Sequence, residues 1–422
     1  MLPEGTSGQE RWPVAVLVDA TRPGCARRLF GMALVERVLR ALLEAGLEGV
    51  RVWLHEAGDA SAVLPDDLWE RLDLVPEPGE APLAKRVTAA ASRAEALLVL
   101  EGDAVIDPRL IRHLAASRGA RALSADAPEP GCGSASAVLR LEGAPGEAPP
   151  SATLAELADE WVGSGSLAAG SLGAVPSHIQ KLRRDLPAYV FRVTDDAERD
   201  GSERFLFRSN YKGSTDFLTK HVYPPLVWRM LQPLARRRIH PNWVSGFNVL
   251  ITFAAIPLFA AGAWVAGLTL AYTMSVLDSV DGKLARLTYR SSKLGHVLDH
   301  GLDVVHPPLW YLAWAVGLGG GLWLDAVWWM TGAYVADRLV TEAFTRMTSG
   351  RSIHAWAPVD VRMRTFISRR NINLPLFTAG LLVGLPGPAL LVVVAWQVAT
   401  LAFHALRLAQ VARDLRNPRG AA

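Results

Sequence analysis

The sequence predicts two structural classes in one chain. The first is a soluble α/β domain, Rossmann-type in pattern; the second is an all-α integral membrane domain of about six transmembrane helices. Three observations predict this. Short apolar runs at residues 14–18, 50–54 and 96–100 alternate with helical patterns. Beyond about residue 240, long apolar runs are broken by short basic loops. At the edge of those runs, within residues 278–303, four aspartates stand at fixed spacing, where unpaired acids are costly and usually functional.

The chain has 422 residues, half of them hydrophobic, and a formal net charge of +3. That length allows more than one domain, and the small net charge implies no nucleic-acid partner. Cys25 and Cys132 are too few and too isolated for a disulfide framework or a zinc site, which fits a reduced, cytosol-facing N-terminal part. The first twenty residues lack a basic start followed by an apolar stretch, so no cleaved signal peptide is expected and the first span should direct insertion.

In order along the chain, residues 1–203 form the α/β part. The three apolar runs read as buried parallel strands, and residues 33–45 carry apolar positions near a 3.6 period with Gly46 as a stop. The loop leaving the first strand, DATRPGCARRLFG, ends near a helix start, where backbone N–H groups can bind phosphate. Asp103 follows the third strand, and Asp195 and Asp196 follow YVFRVT. This order resembles the sugar-phosphate nucleotidyltransferase fold, which implies a triphosphate and metal site with Asp103 at one acidic position and Asp195 or Asp196 at the other. The loop, however, offers Gly24 between Pro23 and Cys25, and Met32 stands where that family usually has lysine. Arg22, Arg27 and Arg28 are available as replacement cations, and a degenerate domain kept for folding, regulation or partner binding is the competing expectation.

Residues 204–242 join the two parts. Residues 218–234 combine helical apolar spacing with Tyr223, Trp228 and a following Arg236-Arg237-Arg238 run, the pattern of an interfacial helix at headgroup depth, interrupted by Pro224 and Pro225. Residues 243–422 form the membrane part, with spans expected near 244–263, 265–285, 296–318, 322–347, 367–385 and 388–410. Basic residues precede the first span and follow the second, fourth and sixth, whereas the opposite loops carry no lysine or arginine. The positive-inside rule then predicts a multi-pass inner or cell membrane protein with both termini and the four aspartates on the cytosolic side.

Residues 278–303 read DSVDGKLARLTYRSSKLGHVLDHGLD. Asp278 and Asp281 are three apart, and Asp299 and Asp303 four apart, so each pair projects from one helix face. Four carboxylates at this density suit Mg2+ or Mn2+. With average residue usage, the eight specified positions match by chance at on the order of 10^-10 per starting point. The pattern D-x-x-D-G-x-x-A-R, eight residues, G-x-x-x-D-x-x-x-D resembles the signature of the CDP-alcohol phosphotransferase (phosphatidyltransferase) family of membrane enzymes, and Pro241-Asn242 resembles the turn before its first span.

That resemblance implies a reaction in which an acceptor hydroxyl attacks the phosphorus next to the alcohol part of a CDP-alcohol and CMP leaves. It implies metal ligands Asp278, Asp281, Asp299 and Asp303, with Asp303 also the catalytic base, and nucleotide contacts from Asp278, Gly282, Ala285, Arg286 and Gly295. The implied partners are a CDP-alcohol donor, an alcohol or phosphorylated polyol acceptor such as inositol phosphate, and membrane lipid; a homodimer is compatible with it. On the cytosolic half of the fourth span, Asp337, Arg338 and Glu342 either bind the acceptor or form a structural ion pair. The following loop contributes Arg351, Arg362, Arg364, Arg369 and Arg370 as topology signals, lipid contacts or phosphate ligands.

Three functions remain open at this point. One is a phosphotransferase in phospholipid or inositol-phosphate synthesis, with a degenerate N-terminal domain. The second is a bifunctional enzyme, resembling fused inositol-phosphate cytidylyltransferase and di-inositol-phosphate phosphate synthase enzymes, whose N-terminal domain makes the CDP-alcohol from CTP. The third is a non-catalytic membrane scaffold in which the acids hold a structural ion.

Overall fold

In the computed structural model, residues 14–58, 60–146 and 151–416 are described, without the side chains of residues 293, 294, 296, 298–300, 303 and 416. The chain divides into two compact units. One comprises Met1–Ile179, Asp185–Tyr211 and Leu287–Tyr289; the other comprises Gln180–Arg184, Lys212–Arg286 and Arg290–Ala422.

The first unit is built on a seven-stranded sheet. Its strands in chain order are β1 Ala15–Ala20, β2 Arg51–Glu56, β3 Asp73–Pro78, β4 Leu97–Glu101, β5 Arg121–Ala125, β6 Ser136–Leu141 and β7 Ala168–Ala169. Their spatial order is β7-β5-β6-β4-β1-β2-β3. The strands β4, β1, β2 and β3 run parallel, with Val16 opposite Val52 and Leu98, and β6 runs antiparallel to both β4 and β5. The apolar runs are continuous because both faces are covered. Val16, Val18, Leu54 and Leu98 pack with helix α1 (Leu34–Glu44) on one face. Leu17, Trp53 and Val99 pack with α2 (Leu83–Ala91) on the other. Helix α3 (Pro108–Ala116) joins the first layer, and α4 (Leu154–Gly163), opened by a Thr153/Glu156 capping box, joins the second. The unit ends with α5 (Asp196–Ser209). Cys25 and Cys132 are free and buried.

The second unit is helical. Pro224 begins helix α6 (Pro224–Arg236) in its first turn instead of interrupting it, after a π-helical turn at Leu218–Val222. Then follow α7 (Pro241–Ala260), α8 (Trp264–Leu287), α9 (Lys293–Gly317), α10 (Leu322–Met347), α11 (Pro358–Arg364), α12 (Arg370–Leu382) and α13 (Pro386–Arg416). Polarity is inverted relative to a water-soluble bundle. Trp243, Leu250, Val265, Trp328, Trp329, Leu339 and Leu382 are exposed, while Asn248, Thr252, Asn373, Gln397 and His404 are buried. Trp310 donates its indole N–H to the Thr252 carbonyl at 2.9 Å, tying α9 to α7.

Among the described residues, two helices are long and apolar enough to cross a membrane, Pro241–Ala260 and Pro386–Leu415, against the six expected. The reasons for the difference are local. Helices α8 and α10 carry charged residues, among them Asp278, Asp281, Lys283 and Arg286 in α8 and Asp337, Arg338 and Glu342 in α10, and α12 has only 13 residues, about 20 Å against a hydrocarbon core of about 30 Å.

Candidate active site

Two clefts in the helical unit hold several of the sequence-predicted groups. The first is an open cleft of about 540 Å³ at the entry of α7, between α8 and the start of α9. It brings together Asp281, Gly282, Ala285, Arg286 and Gly295. Asn242 and Ser245 join them from the first turns of α7.

Local chemistry explains each placement. His240 is the N-cap of α7, its Nδ1 accepting from the Asn242 N–H at 3.2 Å, and Pro241 occupies the first helical position. The cap of α7 is therefore His240, not Asn242. Asn242 is freed for the cleft, where its Oδ1 accepts from the Ser292 hydroxyl at 2.7 Å. Ser292 in turn caps α9 by accepting from the Gly295 N–H at 2.9 Å. Asp281 is 7% exposed, and its carboxylate accepts from the Ser245 hydroxyl at 2.9 Å and the Gly282 N–H at 2.6 Å. A buried carboxylate with two fixed donors is held in one orientation.

Gly295 is required by space as well as by pattern. A Cβ there would lie 3.1 Å from Ser292 Oγ and 3.3 Å from Asn242 Oδ1. Gly295→Ala is expected to break the Ser292–Asn242 bond and raise the KM for a CDP-alcohol by about tenfold, roughly 1.4 kcal/mol. An unchanged KM would mean that Gly295 takes no part in binding a nucleotide.

Asp278 does not line that cleft. It accepts from Arg370 Nη2 at 2.8 Å, and Arg370, at the start of α12, faces the second cavity. Asp299 and Asp303 fall in the first turns of α9, but their side chains lie outside the described residues. Among the described residues, no three His, Cys, Asp or Glu side chains cluster as metal ligands.

The second cavity is also open to solvent, with about 720 Å³ of space within its mouth and walls, and its lining includes Asp337, Arg338, His354, Arg369, Arg370 and Gln397. Of the three residues expected there, Glu342 is absent: it pairs with Arg346 at 2.8 Å on the exposed face of α10. Arg338 instead donates to the Tyr334 hydroxyl at 2.9 Å. Arg364 is only 5% exposed, with Nε and Nη1 unpartnered among the described residues. Burial, then the positive charges of Arg369 and Arg183, pushes its pKa well below the usual arginine range. The same burial and the Arg364 and Arg369 charges push His354 down. Three arginines on the cavity wall, Arg338, Arg369 and Arg370, favour an anionic ligand.

Sequence reasoning missed Gln397 and His404. The signal was present: Gln397, Thr400 and His404 are spaced at three and four within an otherwise apolar stretch, residues 388–406, and all three are buried.

The N-terminal acids form a different picture. Asp103 is 2% exposed, and Arg192 donates to it from Nε at 3.1 and 3.2 Å and from Nη2 at 2.6 Å. Arg22 approaches to 3.5 Å while pairing with buried Glu101 at 2.6 Å. The loop closes over this group, since a Cβ on Gly24 would lie 3.2 Å from the Asp103 Cβ. Asp195 is the N-cap of α5, accepting from the Glu198 N–H at 2.7 Å. Asp196 is exposed and pairs with Arg199 at 3.2 Å and Arg27 at 3.6 Å. Asp103 is thus neutralised by guanidinium groups, and Asp195 has a capping role that the metal expectation did not foresee.

Comparison with known proteins accords with the C-terminal geometry. Residues 238–410 match the CDP-alcohol phosphatidyltransferase family. Over 115 residues the chain is 30% identical to an uncharacterized CDP-alcohol phosphatidyltransferase class-I family protein of Schizosaccharomyces pombe, covering 23% of this chain and 29% of that one. Over 136 residues it is 27% identical to the bifunctional IPC transferase and DIPP synthase of Thermococcus kodakarensis, covering 29% of this chain and 31% of that one. The chain thus spans less than a third of the length of these curated relatives. The crystal structure of the phosphatidylinositol phosphate synthase of Mycobacterium tuberculosis with CDP-DAG bound aligns at a TM-score of 0.34 and 16% identity, over 44% of this chain and 93% of that one. The C-terminal half of the chain is a CDP-alcohol phosphatidyltransferase domain.

Proposed function

We propose that the protein is a multi-pass membrane CDP-alcohol phosphotransferase that moves a substituted phosphoryl group from a CDP-alcohol to the hydroxyl of an anionic, phosphorylated acceptor, releasing CMP. The observation that carries this reading is the 2.8 Å ion pair between Asp278 and Arg370. It joins the signature helix α8 to the cation-rich cavity, so donor and acceptor have neighbouring places on one framework.

Gly282, Ala285 and Gly295 leave room for the nucleotide in the first cleft, and Arg286 offers charge to its phosphates. Asp281, open to the first cleft, offers a hard-oxygen donor to a divalent cation; Asp278, which has to release Arg370 to join it, and Asp299 and Asp303 are the further ligands implied by the signature. Such an ion, when bound, supplies charge neutralisation on the pyrophosphate. Asp303 is assigned as the base for the acceptor proton. Arg338, Arg369 and Arg370 provide the cationic surroundings for the acceptor's phosphate. The inverted polarity of the helical unit supports a membrane location, and the basic loops support a cytosolic site.

The test compares acceptors. Purified protein with CDP-diacylglycerol and Mn2+ is expected to release CMP with inositol phosphate or glycerol phosphate, and at least tenfold more slowly with inositol or glycerol. Equal rates with the unphosphorylated alcohols would contradict the anionic acceptor.

The bifunctional reading requires Asp103 to bind metal and triphosphate, and the arginines on that carboxylate oppose it. Incubation with CTP, Mg2+ and a phosphorylated polyol is therefore expected to yield no pyrophosphate. Stoichiometric pyrophosphate would establish an active N-terminal domain.

A further inference from the structure

Within the acceptor cavity, one side chain is fixed by a partner that the cavity itself does not expose. Asp337, on α10, lines the cavity. Its Oδ1 is 2.6 Å from Nδ1 of His404 on α13, and the imidazole is only 1% exposed. A carboxylate partner requires the proton on Nδ1, so the imidazole donates and Asp337 accepts. The His354 ring, another cavity wall, lies 5.1 Å from the His404 ring and closes it in from the side.

The same face of α13 points to a ligand independently. Gln397 is two helical turns from His404, lines the cavity and is 1% exposed, and its Nε2 has no partner among the described residues. Between them, Thr400 is occupied, accepting from the Ser368 N–H at 2.9 Å. A buried amide donor left open beside a braced carboxylate makes a complementary pair, one donor and one acceptor, suited to hydroxyl groups.

We propose that His404 is a positioning residue for the acceptor. It holds the Asp337 carboxylate toward the cavity, where the carboxylate accepts a hydrogen bond from an acceptor hydroxyl and the Gln397 amide donates to another. The ligand class is therefore a phosphorylated polyol with hydroxyls besides the one that reacts. This rests on the transferase reading and adds the group that recognises the polyol portion.

The experiment measures CMP release by the full-length protein with CDP-diacylglycerol and Mn2+, using inositol phosphate and glycerol phosphate as acceptor probes. His404→Leu is expected to raise the acceptor KM by about tenfold while the donor KM stays within about twofold. His404→Asn, whose amide can donate in place of Nδ1, is expected to recover most of the loss. In the double variant with Asp337→Asn, the second substitution should add little, because the two residues act as a unit. If His404→Leu fails to assemble, Asp337→Asn alone is expected to show the same selective rise. Donor and acceptor KM rising together, or losses that multiply in the double variant, would overturn the proposal and leave a merely structural His404. Wild-type protein that releases no CMP with either probe would remove the transferase reading along with it.

Discussion

Asp281→Ala is expected to lower CMP release by about 10³-fold or more, the scale on which preorganised charge at a phosphoryl-transfer site acts. Asp281 is the described signature acid with the most constrained surroundings: it is buried, held by the Ser245 hydroxyl and the Gly282 N–H, and open to the cleft. Removing it deletes a hard-oxygen donor and leaves both donors unpaired. The loss should appear first in binding. Calorimetry of CDP-diacylglycerol with Mn2+ is expected to show metal-dependent affinity in the wild type and none in the variant. Ser245→Ala, which removes one brace and keeps the carboxylate, should cost about tenfold. Unchanged metal-dependent binding in Asp281→Ala would mean that the carboxylate is a structural group.

Asp303→Asn is expected to abolish turnover, by about 10³-fold or more, while CDP-alcohol binding stays close to wild type. A carboxamide keeps the shape and an oxygen donor but cannot take the acceptor's proton. The contrast with Asp281→Ala is informative, since one variant should lose binding and the other chemistry. If Asp303→Asn turned over normally, the proton would have another destination, and Asp337, already a hydrogen-bond acceptor on the cavity wall, would be the first group to test.

The α/β pattern was legible because its physics is local. Apolar runs at residues 14–18, 50–54 and 96–100 have the length of covered parallel strands, and the periodic stretch ending before Gly46 became α1. The signature was legible because its spacing reflects helix geometry, and Asp281, Gly282, Ala285, Arg286 and Gly295 do line one cleft. Partner choice was not legible. Asp278 and Arg370 are separated by 92 positions and Asp103 and Arg192 by 89, and no periodicity links residues so far apart. The loop arginines illustrate the same limit: Arg370 holds a signature acid, Arg364 is buried without a full set of partners, and Arg351 stacks over Trp356. One run of similar residues carries three different roles, assigned by tertiary packing. His404 and Gln397 were hidden for a different reason. A few polar residues in a long apolar segment leave its hydropathy almost unchanged, and only their shared face reveals them.

Together the two clefts are expected to serve one transfer with CMP as the leaving group. Its most direct test is CMP release by the purified full-length protein in the presence of CDP-diacylglycerol, Mn2+ and inositol phosphate. One CMP is expected per acceptor consumed, with release abolished by chelation of the metal and absent without acceptor. No CMP with any CDP-alcohol and phosphorylated polyol pair, or CMP formed at the same rate without acceptor, would contradict it.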